Sequence, residues 1–142
     1  GSEMCIRDRE MEFAQQGLIA APESLEITDV EGKVIWSQDA YSFLEDAESP
    51  DTANPSLWRH TQMNHIYGLF EVTDGIYQVR GYDMANLTVV KGDTGWIVFD
   101  TLMSVECSQA AMQLIGYDCG GCRLPLTPMS NENLEKLKKY LL

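Results

Sequence analysis

Two histidines, four cysteines and one aspartate at a strand end are the residues of this 142-residue chain whose types and spacing suggest chemistry. His60 and His65 lie five apart on a predicted helix, whereas metal ligands on one helical face sit three or four apart. The pair therefore points in different directions and reads as surface or boundary histidines. Cys119-Gly-Gly-Cys122 has the spacing of half a zinc site or of a redox pair. A structural zinc needs a second ligand pair, and only Cys5, Cys107 and the histidines remain, none usefully spaced. A thioredoxin-like motif needs a helix starting at the first cysteine, but Gly-Gly and then Arg123-Leu124-Pro125 follow here. Both thiols read as incidental loop residues. Asp100 ends the apolar run Trp96-Ile97-Val98-Phe99, where layered α/β folds present functional side chains. The competing reading is that it caps the next turn through neighbouring amides. The chain carries no phosphate loop, nucleophile elbow, His-Glu-x-x-His or calcium-loop pattern. Asn86-Leu87-Thr88 is formally a glycosylation sequon, but it falls in a predicted strand.

The elements that must position these residues follow from pattern. Glu12 to Ile19 is weakly helical and stops around Gly17. Leu25–Thr28 and Val34–Trp36 flank an acidic turn and predict a hairpin. Asp39–Leu44 reads as a helical turn capped by Asp39. Ser56 to Leu69 reads as a helix behind an Asn54-Pro55 cap, with Leu57, Met63, Ile66 and Tyr67 near one face. Strands follow at Phe70–Val72, Ile76–Arg80, Leu87–Val90 and Trp96–Phe99. The last is continuously apolar, as expected of a strand covered on both faces. Ser104 caps a helix from Val105 to Ile115, with Gly116 to end it. Ser130 to Leu142 is a second capped helix with early acids, late lysines and an apolar face of Leu134, Leu137 and Leu141.

Composition excludes several classes. At 44% hydrophobic and 23% charged residues the chain suits one globular domain. The net charge of −12 is the wrong sign for a polyanion binder, so no nucleic-acid partner is expected. No apolar run reaches the ~18 residues of a membrane helix, so no span is expected. The charged start has no apolar signal segment, although a chain whose true N-terminus lay upstream would read the same, and the compartment stays open. Charge changes along the chain: residues 1–115 carry −13 and residues 116–142 carry +1.

Asn54-Pro55-Ser56-Leu57-Trp58-Arg59, then the stretch from Gly68-Leu69-Phe70-Glu71-Val72 through Val79-Arg80-Gly81-Tyr82-Asp83, then Gly92-Asp93-Thr94-Gly95-Trp96 to Asp100, closely resemble the N-terminal portion of the alkyl sulfatases. The resemblance runs from about Phe13 to Leu114. These are zinc hydrolases of the metallo-β-lactamase superfamily that cleave alkyl sulfate esters, and the family resemblance implies a dimeric parent. It implies an α+β fold: a partial, incomplete αββα layer with antiparallel strands within about 70–100, flanking helices and an appended C-terminal helix. The family's His-x-His-x-Asp-His zinc motif would begin beyond Leu114-Ile115, where this chain leaves the pattern. No zinc is therefore expected to bind this chain, and no sulfate release is expected from it alone. By analogy Asp100 would stand behind the metal loop and Asn86 on the substrate side.

The tail, from Ile115-Gly116-Tyr117 through Gly120-Gly121-Cys122-Arg123-Leu124-Pro125 and on to Lys139, is similar to the C-terminal end of dihydrodipicolinate synthase. Ser2-Glu3-Met4-Cys5-Ile6-Arg7-Asp8-Arg9 resembles translated sequencing-adapter sequence. The expected organisation is a non-native leader at 1–10, an alkyl sulfatase-like part at 11–115, and an unrelated tail at 116–142 with a helix at 130–142: a chimeric or truncated reading frame. The alternative is a small non-catalytic α+β binding or assembly module that uses that last helix.

Overall fold

The computed structural model describes residues 2–45 and 48–116. The predicted helix at 130–142, the Cys119/Cys122 pair and the tail after Gly116 lie outside the described residues. The chain opens with helix α1 (Ser2–Gln15), which starts well before Glu12 and runs through the stretch read as a leader. Glutamate, methionine and arginine there are all good helix formers, which is why the helix continues backwards. Arg59 Nε meets Glu10 Oε2 at 3.1 Å, a half-exposed pair that ties α1 to the next helix and contributes little.

Strand β1 (Leu18–Ala20) follows where the pattern reads helix to Ile19, because the chain there pairs with the later strand residues Leu69 and Phe70; the hairpin β2 (Glu26–Thr28) and β3 (Val34–Ser37) then stands at its expected place. Asp29 Oδ1 accepts from the amides of Glu31 and Lys33, both at 2.9 Å, so the hairpin's turn is held by its own aspartate. A 3-10 helix (Asp39–Glu45) comes next. Asp39 is not its cap. Ser37 Oγ accepts from the Ala40 amide, while Asp39 Oδ1 turns back to the Leu25 amide at 3.3 Å and ties the helix to the hairpin.

Helix α2 (Pro55–Asn64) is capped by Asn54, whose side chain accepts from the Ser56 and Leu57 amides. It stops five residues short of the predicted Leu69. Ile66 and Tyr67 leave the helix, and Gly68, at φ +135°, takes a conformation that suits glycine and starts a strand. The apolar face read for α2 is not a core face, because none of its residues is buried and Leu57 is 64% exposed.

Four strands complete the main sheet: β4 (Gly68–Thr73), β5 (Ile76–Arg80), β6 (Leu87–Lys91) and β7 (Trp96–Phe99). Every pairing is antiparallel, in the order β1-β4-β5-β6-β7. The α+β class with an antiparallel sheet is as expected. Side chains alternate between its faces. One face carries Leu69, Val79, Leu87 and Val89, packed with Leu25 and Ile27 of the hairpin region and with Cys107 and Ala111 of helix α3 (Val105–Leu114). Helix α3 begins where the sequence places it: Ser104 Oγ accepts from the Cys107 amide at 3.0 Å, and Gly116 sits at φ +82° just past the end. Burial pushes the Cys107 thiol above its ordinary range, outweighing the Ser104 hydrogen bond. No helix among the described residues is long and apolar enough to cross a membrane.

One expectation fails at the sheet edge. Strand β7 is not covered on both faces: Ile97 and Phe99 are each 57% exposed and Val98 is 38% exposed. Only β6 pairs with it among the described residues. An apolar strand with an open ladder is a template for association. The double substitution I97K/F99K is expected to shift the protein toward monomer in a concentration series by sedimentation, with folding stability within about 0.5 kcal/mol because both side chains are surface groups. Unchanged association would show that β7 is not the adhesive edge.

Candidate functional site

The second face of the sheet is more polar and borders an open cleft of about 630 Å3. Its construction starts at the end of β5. The chain turns at Gly81, φ +77°, and the Gly81 carbonyl accepts from Trp36 Nε1 at 2.7 Å and from Gln38 Nε2 at 2.6 Å. Gln38 is nearly fully buried, and its Oε1 lies 2.9 Å from His65 Nδ1. The Gly81 carbonyl thus ties the exit of β3 to the turn after β5, and Gln38 extends that tie to the end of α2, making one wall of the three.

Asp83, buried two residues on, performs the second tie. Its Oδ1 accepts from the Met84 amide and its Oδ2 from the Met103 amide, both at 2.6 Å, joining the 81–86 turn to the loop before α3. Arg80 leaves β5 toward the cleft. Its guanidinium carbon sits 4.1 Å from the centre of the Phe70 ring, and its Nε donates to Gln78 Oε1 at 2.6 Å. Burial pulls the Arg80 pKa below the usual arginine value, and no carboxylate pairs with it among the described residues. Trp36, Tyr41 and Met63 line the apolar side of the cleft. Tyr41 connects onward by tilted ring contacts, 6.5 Å to Trp36, 6.5 Å to His65 and 6.2 Å to Phe43.

The residues singled out in the sequence are dispersed. Asn86 is exposed and lines the cleft. Asp100 is exposed, outside the cleft, at φ +60°, with Oδ1 accepting from the Leu102 amide at 2.9 Å: the local turn expected as its competing reading. His60 is exposed, and His65 is half-buried with Nδ1 engaged by Gln38. The resemblance implies zinc, and a zinc site needs three or more converging donors. Among the described residues no such group of His, Cys, Asp or Glu side chains exists, so this donor set does not fit the ion. Gly81, Gln38 and Asp83 were not legible as a site, since the partners that join them to other elements lie 20 to 45 residues away along the chain. The one local signal was a glycine directly after a strand, which marks a close backbone approach.

No protein-family profile matches the chain. It is 50% identical over 105 residues to an (R)-specific secondary-alkylsulfatase of Pseudomonas sp.. It is 43% identical over 106 residues to an alkyl/aryl-sulfatase of Saccharomyces cerevisiae. These alignments cover 74% and 75% of this chain but only 16% of each relative. Among solved structures, the stereoselective inverting sec-alkylsulfatase Pisa1 of Pseudomonas sp. superposes with a TM-score of 0.70 at 47% identity, over 84% of this chain and 18% of that one.

Proposed function

Homologous to the alkylsulfatases over about three quarters of its length, the chain is, we propose, the N-terminal part of a zinc-dependent alkyl sulfate ester hydrolase, inactive by itself. The observation that carries the reading is the agreement of sequence and fold over the same region, 47% identity at a TM-score of 0.70. The chain spans about a sixth of the length of the curated relatives it matches. The exposed β7, paired only with β6 among the described residues, supports the same reading, since an apolar strand at a sheet edge suits a sheet that continues. The metallo-β-lactamase layering, a dimeric parent and a tail from another source belong to this proposal.

The metal would be supplied by the remainder of such an enzyme. Zinc acidifies a bound water and stabilises charge at an ester oxygen, and it requires several converging ligands. The described side chains of this segment position a wall and a loop instead. Gln38 and Trp36 fix the Gly81 turn, and Asp83 fixes the approach to α3.

The test has two arms. Purified chain with zinc and decyl sulfate is expected to release no sulfate above a zinc-free control; release would overturn the inactivity. Residues 13–114 grafted in place of the matching segment of the Pseudomonas secondary-alkylsulfatase are expected to keep activity within about tenfold, or about 1.4 kcal/mol of barrier. A folded graft without activity would overturn the sulfatase reading.

A further inference from the structure

A second open space, a groove of about 540 Å3, lies between the β2–β3 hairpin and helix α3. The helix contributes one stripe to it, Glu106, Gln109, Ala110, Gln113 and Leu114, at the three- and four-residue spacing of a single face. Leu25, Ile27 and Tyr82 line its buried side, and Val30 of the hairpin turn stands fully exposed beside it. Every charged side chain lining the groove is an acid: Glu26, Asp29 and Glu106. None of the three is in an ion pair among the described residues. An apolar groove rimmed by unpaired carboxylates fits a helix whose apolar face is flanked by cations. The chain itself leaves from the groove's edge: Leu114 lines it, and Gly116, two residues on, is the last described residue.

We propose that this groove docks residues 130–142 of the same chain, with Leu134, Leu137 and Leu141 against the α3 stripe and Lys136 and Lys139 toward the acids. That sequence has the required chemistry, an apolar face at helical spacing with lysines beside it. Fourteen residue steps join Gly116 to Ser130, a reach of up to about 45–50 Å, against a length of about 15 Å for α3. A return antiparallel to α3 brings the lysines to the Glu106 end and opposes the two helix dipoles favourably. Charge favours the contact, since residues 1–115 carry −13 and residues 116–142 carry +1. A tether of this kind supplies an effective concentration on the order of millimolar, so a weak contact suffices. The docking is independent of the sulfatase reading and of the tail's origin: the graft carries residues 13–114 and lacks the docking segment, so either can fail alone.

The full chain tests this. Tyr140, beside the leucine face, is replaced by photoreactive benzoylphenylalanine, the dilute chain is irradiated, and cross-linked peptides are mapped by mass spectrometry. Circular dichroism is the fold control, and the urea-unfolded chain gives the background. Cross-links are expected within one copy, to residues 22–30 and 106–114. E26K/E106K turns attraction into repulsion and is expected to lower their yield about fivefold, and adding K136E/K139E to restore most of it. L134D/L137D is expected to bring the yield to background, because the apolar contact is the larger part of the affinity. Cross-links elsewhere, cross-links only between copies when labelled and unlabelled chains are mixed, or a yield unmoved by E26K/E106K or by L134D/L137D would overturn the proposal. So would a folded charge-swapped chain that fails to recover. Should E26K/E106K fail to fold, K136E/K139E alone carries the charge test: the same loss of about fivefold is expected, and an unchanged yield would overturn the proposal equally.

Discussion

Replacing Gly81 with alanine is expected to cost about 3–5 kcal/mol and to remove most of the folding stability of this chain. Three terms add at that position. An L-residue at φ +77° pays about 1 kcal/mol or more of backbone strain. The new Cβ would stand 2.4 Å from Tyr67 Cβ and 2.8 Å from Gln38 Nε2, so the wall must move, at about 1–3 kcal/mol. Moving it stretches the Trp36 and Gln38 bonds to the Gly81 carbonyl, each contributing about 1 kcal/mol. The natural control is G32A. Gly32 has a similar φ of +83°, but no atom lies within 4 Å of its added Cβ, so it bears the backbone term alone, about 1 kcal/mol. Urea denaturation of both variants by circular dichroism separates the terms. Equal losses would mean that the close packing around Gly81 contributes nothing.

The second large effect is expected at Asp83. Its two amide bonds are short and charge-assisted, and the side chain is only 9% exposed. D83A leaves the Met84 and Met103 amides without their acceptor and is expected to cost about 3 kcal/mol. D83N is nearly isosteric, but its amide nitrogen must face one of those N–H groups, so about half of the loss is expected. Hydrogen exchange gives the local readout: protection at Met84 and Met103 should fall together, although they lie 19 positions apart in sequence. Loss at Met84 with Met103 unchanged would show that the carboxylate does not join the two loops.

Much of the architecture was legible because its signals are local. The β2–β3 turn is written in Asp29 and Gly32, α2 begins on Asn54-Pro55, and α3 begins on Ser104 and ends at Gly116. Capping and turn chemistry act over two to four residues, so neighbouring letters suffice. The errors share one cause. Asp39 reads as a cap, but the hairpin competes for its carboxylate through the Leu25 amide. Residues 66–69 continue a helical pattern, yet pairing with β1 and β5 draws the chain into a strand. Strand β7 has the letters of an interior strand and the exposure of an edge, because burial depends on the neighbours a strand finds.

The amino-acid order by itself determined the elements from the β2–β3 hairpin to α3 in outline, the antiparallel α+β class, the net negative charge and the kinship carried by the stretches from Asn54 to Asp100, but not strand β1. Only the tertiary structure decided that Trp36 and Gln38 converge on the turn at Gly81 with His65 against Gln38, that Asp83 reaches Met103, and that Arg80 lies over Phe70 beside a cleft. The reason is physical: hydrogen-bonded turns and caps form between residues already held together by the chain. A wall assembled from β3, α2 and β5 exists only once the sheet has packed and closed the intervening loops.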